Sequence, residues 1–293
     1  MIDDNSAVAA PDPLRISLLA MLAYLLAAAV LVTLCGGAVI LLKARWIGFE
    51  APVAGEPLPL DLWLTYVALA FAVLAAYWLQ GRFVERRPRR ELAPRRAGEL
   101  VLGVGAGIGL VLLVVLVLWA AGGYRIVAWR GPAELAAPTL MAVGAGVMEE
   151  LLIRGFVLGL IERWAGSAVA LAVTALLFGI LHLDNPGAGL WPAVALALGS
   201  GVAFGAAYLA TGRLWWSIGL HCGWNFGQSG LFGLIDSGTS FPSVIVAAVR
   251  GPYWLTGGAF GPEASLPGFA VWLLLGLFLL TVAIRRGRLV PLR

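Results

Sequence analysis

Runs of about twenty apolar residues, broken by short polar or glycine-rich stretches, recur along almost the whole chain. At a helical rise of 1.5 Å per residue, about twenty residues match the hydrocarbon thickness of a bilayer, so each run predicts a membrane-spanning helix. Eight are expected, at roughly 17–42, 61–80, 99–120, 135–160, 168–185, 192–210, 214–235 and 268–284. The expected fold class is all-α: a polytopic membrane helix bundle of about eight transmembrane helices, forming one integral membrane domain over residues 1–293. The first run follows Met1-Ile2-Asp3-Asp4, which lacks the basic n-region of a signal peptide, and it is too long for a signal-peptide core. It is read as a retained helix.

Composition supports the same class. Of 293 residues, 61% are hydrophobic and 12% charged, against about 25% charged in soluble domains. Charge then orients the bundle. Lys43 is the only lysine, and the arginines cluster beside apolar runs, with Arg82, Arg86, Arg87, Arg89, Arg90, Arg95 and Arg96 between the second and third spans. Placing that segment in the cytoplasm puts both termini there, with Arg285, Arg286, Arg288 and Arg293 on the same side. Fourteen basic residues then fall inside and five outside, with Arg154 in the membrane. The net charge of +4 is explained by topology and anionic headgroups, so the expected partner is the lipid bilayer and not nucleic acid. Abundant Ala, Gly and Arg with almost no Lys suggests a bacterial chain, hence the inner (cytoplasmic) membrane.

Other features refine the bundle without adding chemistry. Glycines four apart (Gly103/Gly107, Gly105/Gly109, Gly155/Gly159, Gly201/Gly205) predict close helix approach. Trp46, Trp63, Trp191 and Trp215 sit near span ends, as interfacial anchors do. Cys35 and Cys222 each lie in an apolar run and imply no disulfide framework. The segment 236–267 is placed outside, as a surface or re-entrant element over the helix ends or as a substrate gate. It holds an apolar stretch, Val244–Val249, too short to span, and the breaker run Gly257-Gly258-Ala259-Phe260-Gly261-Pro262.

Charged groups within the membrane cost about 2.5–3.5 kcal/mol each on insertion scales. The fourth span nevertheless carries Glu149, Glu150 and Arg154. Glu150 and Arg154 are four apart on one helical face and can pair. Glu149 is rotated by about 100° from Glu150, so one arginine cannot neutralise both carboxylates well. Both histidines of the chain also fall in spans, His182 four residues after Phe178 and His221 four before Asn225. A carboxylate, two imidazoles and an amide donor are what water-driven acyl chemistry needs.

These motifs, Glu149-Glu150…Arg154, Phe178…His182 and His221…Asn225, appear in order on separate helices. In this the chain resembles the CPBP intramembrane proteases, which include type II CAAX prenyl endopeptidases and bacterial Abi-type proteins. The resemblance covers roughly 135–235 and the general eight-span layout. It implies peptide-bond hydrolysis without a nucleophilic side chain and with no cofactor or metal. Glu149 would be the general base on a water that His182 helps to hold, and His221 and Asn225 would stabilise the oxyanion. Glu150, Arg154 and Phe178 would support them. The implied substrate is a peptide or membrane-protein segment.

Three other readings use the same residues. Glu149, His182 and His221 would make a two-histidine, one-carboxylate zinc site of an intramembrane metalloprotease, although no His-Glu-x-x-His motif occurs. A transporter would use the buried groups as an ion relay. A catalytically idle membrane scaffold would retain them without use. Cys222 follows His221 directly and faces elsewhere, which disfavours a Cys–His nucleophile.

Overall fold

The computed structural model describes residues 60–292 together with scattered helical positions between 26 and 41. Helices α1 (Leu60–Leu79), α2 (Gly98–Ala120), α3 (Ala136–Glu150), α4 (Gly159–Ala165), α5 (Ser167–Leu181), α6 (Leu190–Leu196), α7 (Val202–Thr211), α8 (Leu214–Asn225), α9 (Tyr253–Thr256) and α10 (Leu266–Arg285) make up most of it. Four π-helical segments continue or join these: Gln80–Val84 after α1, Leu151–Leu158 between α3 and α4, Ala197–Gly201 between α6 and α7, and Phe226–Leu231 after α8. Such wider turns loosen the i→i−4 ladder and are frequent at functional sites.

Helices therefore stand at seven of the expected spans, while the expected 17–42 span lies outside the continuously described residues. Among the described residues, four stretches are long and apolar enough to cross a membrane by length and composition: Leu64–Val84, Pro94–Ala120, Leu190–Thr211 and Leu266–Arg285. The others are shorter or carry the buried charges. Helix α5, expected to reach residue 185, ends at Leu181 and, at 15 residues, is about 22 Å long. The helical part of the seventh expected span ends at Leu231, where glycines and a reversal of the chain begin.

The all-α expectation is corrected by one antiparallel ribbon, β1 (Tyr124–Trp129) with β2 (Ile245–Val249). Both strands are rich in β-branched and aromatic residues, which suit a pleated, half-exposed surface better than a helix. The stretch that is too short to span pairs with the loop after α2 instead.

Small residues set the closest helix contact. On α2, Gly103 and Gly107 face the α8 backbone. A methyl group at Gly103 would come within 2.9 Å of the Gly219 Cα, and one at Gly107 would overlap the Leu220 carbonyl and the Trp224 nitrogen. In lipid, where burial alone does not drive helix association, such approach is a main source of packing. Gly105 and Gly109 point away from α8: a methyl group at either would meet no atom of the described residues within 4 Å. Beneath the ribbon, Trp224, Trp272, Phe204, Phe178 and Phe260 form a buried aromatic core.

The two ends of the bundle differ. At one end lie Arg82–Arg96, Arg163, Arg213 and the arginines after α10, tied by Arg163–Glu85 (3.3 Å), Arg213–Glu99 (2.9 Å) and an Arg288 bond to the Thr211 carbonyl. At the other lie the ribbon and the loops on either side of α9. The indoles of Trp215 and Trp191 donate to Ala93 and Ala264 at these respective ends.

Candidate active site

Glu150 ends α3, and Arg154 lies one turn on in the π-helical segment, so the four-residue spacing brings them together. Arg154 Nη1 donates to Glu150 Oε1 at 2.8 Å, and both side chains are fully buried. Arg154 Nη2 donates to the Gly201 carbonyl at 2.9 Å, in the π-helical segment between α6 and α7. The guanidinium also lies 4.8 Å from the Phe178 ring centre and 5.2 Å from that of Phe204. One cation thus joins three helices, with a carboxylate, a carbonyl and two aromatic faces around it.

Glu149, next in sequence, points elsewhere, as the helical rotation requires. Its side chain is 23% exposed, and no hydrogen bond reaches Oε2. His182 Nε2 lies 4.0 Å from Oε2. His182 Nδ1 lies 2.7 Å from the Phe178 carbonyl. A carbonyl only accepts, so Nδ1 carries a proton, and the neutral form of the ring presents Nε2 as an acceptor. Phe178 therefore acts through its backbone oxygen as well as its ring, which stands 4.7 Å from the imidazole.

The sequence places His182 near the outer end of its span, and a helix starting near Leu171 would bring it level with Glu149. The start is Ser167 instead. The two residues meet because α5 is short and stops at His182, while Glu149 lies about midway along the continuous helix 136–165.

His221 and Asn225 occupy successive turns of α8. His221 Nδ1 lies 3.1 Å from Glu150 Oε1, so its proton is donated to the carboxylate that Arg154 also holds. Phe204 stacks on the other side of the ring, with centres 4.8 Å apart and planes 15° from parallel. Both constraints fix the imidazole, leaving Nε2 for a ligand. Asn225 is buried. Its Nδ2 meets only the Met141 sulfur, at 3.9 Å, a weak acceptor that leaves the amide protons available.

Glu149, Phe178, His182, His221 and Asn225 line one cavity of about 540 Å³. Glu150 and Arg154 lie behind its wall. Cys222 is absent from the lining and packs on Gly146. Among the described residues, no group of three or more His, Cys, Asp or Glu side chains is arranged to hold a metal ion.

Several lining residues had no individual signal in the sequence: Phe204, Asn185 in the turn after α5, and Asp236, Ser237 and Glu263 from the outer loop. The loop is drawn over the cavity by its glycines. Gly257 (φ +76°) ends α9, and Gly261 (φ +108°) packs so closely on the Ile235 carbonyl that a side chain would collide. The Gly238 N–H donates to the Phe260 carbonyl at 2.8 Å. The two acidic residues of the outer loop, Asp236 and Glu263, were the available hint.

Residues 131–227 match the family model described as type II CAAX prenyl endopeptidase Rce1-like. No curated protein and no solved structure matches the chain. The matched segment runs from just before α3 to just after Asn225, and so contains Glu149, Glu150, Arg154, Phe178, His182, His221 and Asn225.

Proposed function

We propose that this chain, whose central segment belongs to the type II CAAX prenyl endopeptidase family, hydrolyses a peptide bond inside its cavity with a water activated by Glu149. The family is one of endopeptidases, and the apolar helices fit a membrane location. The observation that carries the mechanism is the facing pair of acceptors, Glu149 Oε2 and His182 Nε2, 4.0 Å apart. Two acceptors at that separation suit one bridging water, which donates a hydrogen to each and keeps a lone pair free to attack.

The water oxygen adds to the substrate carbonyl carbon, and its proton passes to Glu149. The carbonyl oxygen becomes an oxyanion, stabilised by Asn225 Nδ2–H and by His221 Nε2 when that ring is an imidazolium. The C–N bond then breaks, and Glu149 returns the proton to the departing nitrogen. Glu150 and Arg154 do not touch the reacting atoms in this scheme. They fix His221 and the helix register.

The reading requires no metal: Nδ1 of each histidine is held by the chain, by the Phe178 carbonyl and the Glu150 carboxylate, and each Nε2 is given a role toward water or oxyanion. Eight spans with the arginine-rich end in the cytoplasm complete the proposal. Single cysteines at Arg90 and Trp254, both exposed and at opposite ends, should label from opposite sides of sealed vesicles. Labelling from one side would refute that topology.

Comparison of membrane proteomes from cells carrying the wild type or Glu149→Gln tests the activity. A membrane protein should accumulate uncleaved in the variant, and its cleavage by wild-type protein should survive chelators. Accumulation in neither strain would count against a protease. Loss of cleavage on chelation, restored by stoichiometric zinc, would replace the metal-free mechanism with a zinc-dependent one.

A further inference from the structure

The outer loop brings two carboxyl groups to the cavity wall, and their surroundings differ. Glu263 is saturated: Oε1 accepts from the Trp224 indole at 2.9 Å, and Oε2 accepts from the Ser237 backbone N–H at 3.0 Å and hydroxyl at 2.6 Å. Asp236 is not. Its Oδ1 accepts one long bond from Gln228 Nε2 at 3.3 Å, while Oδ2 is buried with no partner on a side chain only 4% exposed. Gln228 Oε1 is likewise buried and without a partner. Two neighbouring residues thus each present a buried acceptor that nothing in the described chain donates to, a costly arrangement that native structures rarely leave unexplained.

The cavity also holds Glu149 and Glu263, and neither lysine nor arginine is among its lining residues. We propose that Asp236, backed by Gln228, is a specificity pocket for the ammonium or guanidinium group of a lysine or arginine side chain in the peptide substrate. Such groups carry three or five donors and a positive charge, which match orphaned acceptors in a carboxylate-lined cavity. Burial and the neighbouring carboxylates, Glu263 before Glu149, push the Asp236 carboxyl well above its usual range. An arriving cation favours the ionised carboxylate, and any proton that burial keeps there is released to solvent. The cavity is where the scissile bond lies under the protease reading, on which this inference rests, so the cation belongs to the substrate and not to a free amine.

Two measurements test the pocket. The first is a melting curve of the purified full chain in detergent with n-hexylammonium or with n-hexanol. Hexylammonium should raise the melting temperature of the wild type and not of Asp236→Asn, while hexanol affects both alike. No shift specific to hexylammonium in the wild type, or equal shifts in both proteins, overturns the pocket. The second is cleavage of a mixed peptide library in liposomes. The wild type should favour Lys or Arg over norleucine at one subsite by about tenfold or more. Asp236→Asn should lose that preference while still cutting norleucine peptides. A wild type without basic preference also overturns the proposal, whether or not the variant folds. Absence of all cleavage counts against the protease reading instead, and the melting measurement then decides the cation pocket alone.

Discussion

The arginine-rich end and the cavity end of the bundle both bury carboxylates, but they treat them in opposite ways. At the arginine-rich end, Glu85 pairs with Arg87, with Arg89 at 2.5 Å and with Arg163 at 3.3 Å, and Glu91 accepts from Arg87 and from the Tyr77 hydroxyl at 2.5 Å. Each of these carboxylates faces at least one arginine, and the network ties the end of α1 to α4. At the cavity end, carboxylates outnumber cations. Arg154 pairs with Glu150 alone, leaving Glu149 Oε2 and Asp236 Oδ2 without hydrogen bonds. A matched network needs no explanation beyond stability. Buried acceptors without donors are retained at a cost, and the chemistry proposed for the cavity accounts for them.

Breaking the paired and unpaired carboxylates separately sharpens the contrast. The largest effect on folding is expected from Glu150→Gln. It leaves Arg154 as a fully buried cation without its counter-ion and weakens the hold on His221 Nδ1, a loss of about 3–5 kcal/mol. Melting temperature in detergent should fall steeply and activity with it. An unchanged melting curve would show that the pair is not holding the helices.

Asn225→Ala should act on chemistry. Its side chain makes only the weak Met141 contact, so the melting curve should barely move. Turnover should drop about a hundred- to a thousandfold, the usual effect of losing one oxyanion donor. Unaltered turnover would remove Asn225 from the site.

The smallest effect is expected at the arginine-rich end. Arg163 is about one-third exposed, so Arg163→Gln should cost less than about 1 kcal/mol and leave turnover per folded molecule unchanged. A collapse of turnover would mean that this end is coupled to the cavity.

The helices and the site were legible in the sequence to different depths. Apolar run length located seven helices within a few residues, and four of the described stretches are long and apolar enough to cross a membrane. The four-residue spacings of Glu150/Arg154, Phe178/His182 and His221/Asn225 all correspond to real neighbours. The level at which His182 meets Glu149 was not readable, since it depends on α5 stopping at Leu181 and not on where the helix starts. The π-helical turn that frees the Gly201 carbonyl for Arg154 has no signature in hydropathy. Nor has the β-ribbon, whose strands are separated by more than a hundred residues. Asp236 and Glu263 escaped for the same reason: loop residues acquire a role only when the chain folds back over the helix ends. Gly105/Gly109 is the converse case, a spacing without a contact among the described residues, because α8 lies on the other side of α2.

The most direct test of the central claim is Glu149→Gln, assayed on one purified preparation for peptide cleavage and for thermal stability. The substitution keeps the size and removes the base, so cleavage should fall by at least about a hundred- to ten-thousandfold. Stability should hold or rise slightly, since a buried carboxylate without a full partner becomes a neutral amide. Full activity in Glu149→Gln, or unfolding of it under conditions where Glu150→Gln stays folded, would contradict the assignment of one carboxylate to chemistry and the other to structure.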